Sequence, residues 1–300
     1  MARKGKKFIF TDIDLDGAMS YLLFLWLNGA YIPYISTRVN DFHKSFTGWL
    51  KYHDIKQYDQ IYILDLDISQ DSLELVDHEN VVIIDHHDTH VQNKHRYKNA
   101  KVFIEEKPSC SRYIYELLHT KSVTELTDRH KYLTLLVDDY DSYKLNLKES
   151  HDLNLLFWNY QGDRLAKFVK DFQPGFCGFT DQQKQVIEFY KKKIGRTISE
   201  LTMHEAVVPI KNKPYKFVST FATECINEVA DHLITNYSAD ISLVINLNSN
   251  KVSFRKNKDV EVNLGDLAKK LADGGGHKYA AGGQLNETFM NFSKIFKPVS

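Results

Sequence analysis

Cysteine is scarce: Cys110, Cys177 and Cys225 are the only three in 300 residues, and no two of them form a CxxC pair. That excludes a disulfide scaffold and a thiolate zinc site. A surplus of one charge is missing too, with 39 basic against 39 acidic side chains. Zero balance offers no global attraction to long nucleic acid or an anionic membrane, so any work on nucleic acid must come from a local site. Long apolar runs are absent: the longest, Ala18 to Leu27, is about half of a membrane span and suits a buried helix. The basic start meets only Phe8-Ile-Phe10 before Asp12, too short for the apolar core of a signal peptide, so a cytoplasmic chain without membrane attachment is expected. Internal repeats and low-complexity tracts are lacking as well. What is present is 43% hydrophobic and 13% aromatic, too apolar for disorder and long enough for two domains at roughly 100–200 residues each. The aspartates and the 13 histidines are the residues to follow.

The N-terminal part alternates short β-rich runs with helical stretches. Lys7–Thr11, Tyr31–Ser36, Gln60–Leu64 and Val81–Ile84 are expected strands, and the last two are continuous apolar runs, as in strands buried on both faces. Helices are expected over Ala18–Asn28, Ser111–His119 and Thr127–Val137. Strands alternating with helices predict an α/β fold with a parallel sheet. The middle reads as helical, with a long charged helix over Asp181–Leu201. Strand character returns at Lys216–Thr220, Ile241–Asn246 and Lys251–Arg255, followed by a helix over Asn263–Leu271 and a glycine cluster, Gly274 to Gly283. The expected division is a catalytic domain over 1–145, a helical segment and linker over 146–205, and a smaller α/β domain over 206–300.

Acids gather where such a sheet binds its ligands, beyond the carboxyl ends of the strands. Asp12, Asp14 and Asp16 follow the first strand, Asp65 and Asp67 the next buried one, and Asp85 with His86 and His87 the third; Asp138, Asp139 and Asp141 follow the helix ending at Val137. Converging carboxylates repel and are costly to desolvate, so they call for cations. Carboxylate oxygens mixed with imidazole nitrogens suit manganese or magnesium, and a metal pair suits phosphoryl chemistry. Asp12-Ile-Asp-Leu-Asp-Gly17 imitates the start of an EF-hand loop, but the twelfth position is Leu23 where a bidentate Glu is required. The same segment also resembles the nucleophile loop of haloacid-dehalogenase phosphatases, a reading that leaves Asp85-His86-His87 without a task.

Val81-Val-Ile-Ile-Asp85-His86-His87 resembles the signature of the DHH phosphoesterase superfamily. Thr11-Asp-Ile-Asp-Leu-Asp-Gly17 resembles its first motif, Leu64-Asp-Leu-Asp-Ile-Ser69 its second and Val137-Asp-Asp-Tyr-Asp-Ser-Tyr143 its fourth. Gly274-Gly-Gly-His-Lys-Tyr-Ala-Ala-Gly-Gly283 resembles the signature of the associated C-terminal DHHA1 domain, so the ordered set spans residues 8 to 283.

The resemblance implies a manganese-dependent, two-lobed phosphoesterase with the active site in the cleft between lobes. It implies two ions, with Mg²⁺ the alternative to Mn²⁺. Asp12, Asp14, Asp16, Asp65 and His86 match ligand positions, with Asp139 first and Asp141 second for the fourth motif. Asp85 is expected to support the metal or the histidines, His86 and His87 to place one imidazole on a metal and the other near the substrate phosphate, where His87 or His86 would neutralise charge, and Asp67 has no assigned role. In the C-terminal domain, Gly274, Gly275 and Gly276 would let backbone amides approach a phosphate, with His277 and Arg255 as side-chain donors. The pattern is most similar to nanoRNase-type oligoribonucleases, and more distantly to RecJ-type exonucleases, which carry an extra nucleic-acid-binding domain where this chain has 17 residues after Gly283. The expected partner is a short oligonucleotide or small nucleotide; 3′-phosphoadenosine phosphate and cyclic dinucleotides are further candidates. A homodimer is compatible with the sequence, and a nucleotide-binding module without catalysis is the reading from another class.

Overall fold

The computed structural model describes residues 5–121, 123, 125–276 and 278–299. It divides into two compact units, Met1–Ile187 and Glu188–Ser300. The first holds β1 (Lys7–Thr11), α1 (Leu15–Asn28), β2 (Tyr34–Ser36), α2 (Phe42–Leu50), β3 (Gln60–Leu64), α3 (Leu73–Val76), β4 (Val81–Asp85), α4 (Asp88–Asn93), β5 (Lys101–Ile104), α5 (Cys110–Leu118), α6 (Asp128–Asp141), α7 (Lys148–Trp158) and α8 (Arg164–Phe172). The helical middle is not a segment apart: α7 and α8 pack on α1 within the first unit, and α9 (Asp181–Ser199) begins in one unit and ends in the other.

The five strands of the first unit are parallel in the order β2-β1-β3-β4-β5. Phe8 and Phe10 of β1 pack with Phe42, Phe46 and Trp49 on one face of the sheet, with Ile61, Ile63, Val81 and Ile83 in the same cluster. α1 packs on β1 and β3 and is wrapped by α5, α6, α7 and α8, which is why every residue but Asn28 is buried. The apolar stretch that begins at Ala18 is therefore core, each large side chain contributing about 1.5–3 kcal/mol by burial. Sheet order reverses between β1 and β3, and the crevice outside the carboxyl ends at such a reversal is where open α/β sheets bind ligands. The acid-rich loops after β1 and β3 start there.

Two elements differ from the sequence reading, the first of them at the site. α6 continues through Asp141 instead of stopping at Val137, so Asp138, Asp139 and Asp141 lie in its last turn. Positive φ at Tyr143 (55°) and Leu145 (51°) marks where helical geometry has given way. β5, an edge strand with Lys101 exposed, lacked the apolar run that marks its neighbours.

The second unit contains β6 (His204–Ile210), β7 (Lys213–Phe221), α10 (Ile226–Asn236), β8 (Ile241–Asn246), β9 (Lys251–Lys256), α11 (Leu264–Ala272), β10 (Gly275–Gly276), β11 (Ala280–Gln284), α12 (Glu287–Ser293) and β12 (Lys297–Pro298). They form a sheet of order β10-β11-β9-β8-β7-β6-β12. α10 covers one face with Val229, Ala230 and Leu233, while α11 and α12 cover the other with Leu264, Ala268 and Phe289.

Candidate active site

The loop after β1 is locked by its own residues. Asp14 caps α1, accepting from the Gly17 amide at 2.9 Å, and the Thr11 hydroxyl donates to the Gly17 carbonyl at 2.7 Å. A Cβ on Gly17 would lie 2.5 Å from the Asp12 carbonyl oxygen, so the glycine ending the aspartate run is required by close backbone approach. Asp16, in the first turn of α1, is buried, and its carboxylate accepts from the backbone amides of Cys110 (2.7 Å) and Ser111 (3.0 Å) at the start of α5. Those amides are helix N-terminal donors without intrahelical partners, suited to a carboxylate. The sequence reading did not find this clamp; Ser109, which caps α5 by accepting from the Arg112 amide, was the available signal.

His86 is the centre of convergence. Its Nε2 lies 3.4 Å from Asp65, 3.5 Å from Asp141 and 3.9 Å from Asp16. Its Nδ1 sits 3.1 Å from the Lys107 carbonyl, which fixes the proton on Nδ1 and turns Nε2 to the acids. Asp65 adopts φ 58°, an uncommon conformation for a residue with a Cβ, and its buried Oδ1 has no hydrogen-bond partner among the described residues. His87 donates Nδ1–H to Asp85 at 2.7 Å, so Nε2 is the ligand atom it can offer. Ligand atoms of Asp65, His86 and His87 lie within 4.8 Å of one another, as do those of Asp16, His86 and Asp141.

Charge in this space is unbalanced. Burial pushes the carboxyls of Asp65 and Asp141 well above the ordinary range, and repulsion from Asp14 and Asp16 adds to it. Burial also raises Asp16, although His86 opposes it, and Asp12 is pushed up to about 7 by burial and by Asp14. Burial disfavours charge on the two histidines, yet Asp141 and Asp16 lift His86 to about 9, and Asp85 lifts His87 to about 10. Such acids ionise together only beside added positive charge. The orphaned Asp65 oxygen, the mixed oxygen and nitrogen donors and the anchored Nδ1 atoms fit divalent metal ions.

Asp12 and Asp14 stand next to this cluster: Asp14 acts electrostatically on Asp12, Asp16, Asp65 and Asp141, and His87 acts on Asp12. Asp139, the first choice for the fourth motif, does not join. Its carboxylate accepts from the Asn146 and Leu147 amides, both at 3.0 Å, and from the Ser150 hydroxyl at 2.7 Å. Helix geometry explains the difference, because at about 100° per residue Asp139 and Asp141 project to nearly opposite sides. Asp138, one turn before Asp141, is tied to Ser109 at 3.0 Å and Lys144 at 3.2 Å. Asp67 accepts from Thr89 and has His90 Nδ1 at 3.8 Å. Cys110 is no nucleophile: it is buried, with Sγ 3.3 Å from the Ile84 carbonyl.

The fold is shared with several solved structures at low sequence identity. The pGpG-specific phosphodiesterase PggH from Vibrio cholerae aligns at 16% identity and TM-score 0.58, over 96% of each chain. A manganese-bound exonuclease RecJ aligns at 14% and 0.58, over 98% of this chain and 89% of that one. An exopolyphosphatase-related protein from Bacteroides fragilis aligns at 14% and 0.54, over 97% and 91%. No curated protein sequence matches the chain. Residues 214–298 match the DHHA1 domain family. Residues 214–298 thus form a DHHA1 domain, and the chain as a whole has the fold of these solved structures.

In the DHHA1 unit the glycine signature is a hairpin: Gly275 and Gly276 of β10 pair with Gly282 and Ala281 of β11. A Cβ on Gly274 would fall 1.9 Å from the Gly282 carbonyl oxygen, and one on Gly283 2.4 Å from the Ala272 Cβ. Packing thus accounts for much of the cluster. Gly275 is different: it is exposed, and a Cβ there would meet nothing within 4 Å. Arg255 pairs with Ala280 of β11, and Asn227 of α10 orients it by a 2.7 Å bond to Nη2. His277 lies outside the described residues. No helix among the described residues is long and apolar enough to cross a membrane.

Proposed function

We propose that the chain is a manganese-dependent phosphodiesterase that hydrolyses short oligonucleotides or small nucleotides. The observation that carries this reading is the convergence of Asp16, Asp65 and Asp141 on His86 Nε2 at the point where sheet order reverses. Asp16, Asp65, Asp141 and His86 would hold the ions, with Asp12, Asp14 and His87 adjacent. Two bound divalent ions would supply an acidified water and neutralisation of charge on the phosphoryl group. The protein's own part is positional: the Cys110 and Ser111 amides hold Asp16, the Lys107 carbonyl holds His86, and Asp85 holds His87. His87 would stabilise the phosphate as the phosphorus–oxygen bond to the leaving nucleotide breaks. Gly275 and Arg255 of the DHHA1 unit, with His277, would bind the remaining phosphate or nucleotide. The likeness to PggH, whose named substrate pGpG is a dinucleotide, supports a short substrate, and that to manganese-bound RecJ supports the metal.

A substrate panel with Mn²⁺ tests this: RNA and DNA oligomers of graded length, 3′-phosphoadenosine phosphate and cyclic dinucleotides. Mononucleotide release from dinucleotides, lost in His87→Ala, is expected. Turnover of long single strands alone would favour an exonuclease of the RecJ kind. Binding of nucleotides with no turnover on any arm would make the chain a binding module.

A further inference from the structure

Asp85 is buried completely and serves two histidines at once. One oxygen accepts from His87 Nδ1 at 2.7 Å, the other from His90 Nδ1 at 2.6 Å. His90 is itself buried, and its Nε2 meets the Tyr97 hydroxyl at 2.7 Å. With a neutral His90, Tyr97 O–H donates to His90 Nε2 and both Nδ1–H groups donate to Asp85. With both oxygens of Asp85 and both nitrogens of His90 engaged, Asp67, Asp85 and His90 act as a hydrogen-bonded support and not as a third metal site.

Tyr97 is well anchored for this task. Arg96 beside it donates to the Ile68 carbonyl in the loop after β3, and Asp77 accepts from the amides of Lys98 (3.0 Å), Asn99 (2.8 Å) and Ala100 (2.8 Å) immediately after it. Thr89, next to His90, donates to Asp67 in the same loop. The start of α4 is therefore fastened to the segment that also carries Asp65.

We infer that His90 and Tyr97 are positioning residues: through Asp85 they fix the ring of His87 so that it presents Nε2 to the carboxylate cluster. A carboxylate held by two donors cannot rotate to suit one of them, so removing His90 frees Asp85 and with it His87. Outer partners of this kind typically affect metal affinity or activity by about 10–100-fold. The kinetic consequence rests on the phosphodiesterase reading; the structural one does not.

The test uses the full chain and three variants, His90→Ala, His90→Asn and Tyr97→Phe. Asparagine can still donate to Asp85, and the Tyr97 change removes a single hydroxyl, so these two cover the case in which His90→Ala fails to fold. In the metal-free protein, the His87 Nδ1–H proton is expected as a slowly exchanging downfield NMR signal, lost in His90→Ala and retained in His90→Asn. Titration calorimetry with Mn²⁺ alone should show affinity within about threefold of the parent protein in His90→Ala, because the ring that is loosened stands beside the ion-holding residues and not among them. On a dinucleotide, kcat should fall about 10–100-fold with KM within about twofold, and His90→Asn should restore most of it, with Tyr97→Phe intermediate. A retained His87 signal in His90→Ala, loss of Mn²⁺ binding comparable to removal of an ion-holding acid, or a kcat loss without change in that signal would each overturn the inference. If no substrate turns over at all, the NMR and calorimetric arms still decide it while the proposed function fails separately.

Discussion

Asp65 and Asp139 are acids of the same unit, 2% and 5% exposed, yet their surroundings differ in kind. Asp139, at the junction of α6 and α7, receives two backbone amides and a hydroxyl. Asp65, at the end of β3, has an oxygen with no donor, a backbone φ of 58° and three acids that raise its pKa. The first is a satisfied structural carboxylate; the second has an ion-pair contact with His86 at 3.4 Å but no hydrogen bond on Oδ1, which leaves that oxygen open to an added cation. Burial alone does not separate the two roles; the count of donors does.

Exchanging their fates is the strongest way to break this comparison. Asp65→Asn should lower Mn²⁺-dependent turnover by about 10²–10³-fold, since a charged group at the reacting centre is lost. Its metal-free thermal stability should be equal or higher, because a buried repulsion is relieved. Asp139→Ala should do the reverse, costing about 2–3 kcal/mol by orphaning buried donors while leaving Mn²⁺ affinity within about threefold. Thermal melts with and without Mn²⁺ read both; loss of metal binding in a stable Asp139→Ala protein would return Asp139 to the ligand set.

A pH series sharpens the same contrast with a smaller effect. In the metal-free protein, Asp12 favours the protonated form in the fold, so its contribution is full below its unfolded pKa of 3.8 and is lost as pH rises through about 7. His86 and His87 contribute fully below 6.5 and lose that stability as pH rises through about 9 and 10. Asp85, held well below its ordinary range by His87 and His90 against the cost of burial, adds stability above 3.8. The metal-free melting temperature should thus be higher at pH 6 than at pH 9, by on the order of 5 °C. Stabilisation by Mn²⁺ should run the other way, growing with pH as ligands lose protons. A flat metal-free profile would show that the acids and histidines do not couple as the distances imply.

The smallest expected effect lies in the DHHA1 unit, where the same question applies to glycines. Gly274→Ala should destabilise that unit by about 1–3 kcal/mol through overpacking, whereas Gly275→Ala should fold normally and raise KM for nucleotide. Equal melting curves for the two variants would remove the packing distinction.

Much of the first unit was legible because its signals are local. Lys7–Thr11 and Gln60–Leu64 are strands with those limits, and α1, β4 and β8 fall where the apolar runs put them, whereas the strand β11 inside the glycine cluster was not expected. The acids after β1 and β3 were legible as a set because buried parallel strands end there. The donors that complete the site were not. The Cys110 and Ser111 amides reach Asp16 across more than 90 residues of sequence, and His90 carries no local mark that separates it from a surface histidine. α10 went unread because Cys225 opens it with φ 54° and no side-chain cap.

The sequence by itself determined the fold class, the superfamily motifs and the residue types gathered at the strand ends, since these follow from hydrophobic periodicity and motif order. Only the tertiary structure decided which aspartate of α6 meets His86. Three acids within four residues read alike along the chain, but the helix sends Asp139 to the amides before α7 and Asp141 to the site. A side chain's role is set by the partners that distant segments bring to it, and no spacing in a linear sequence encodes them.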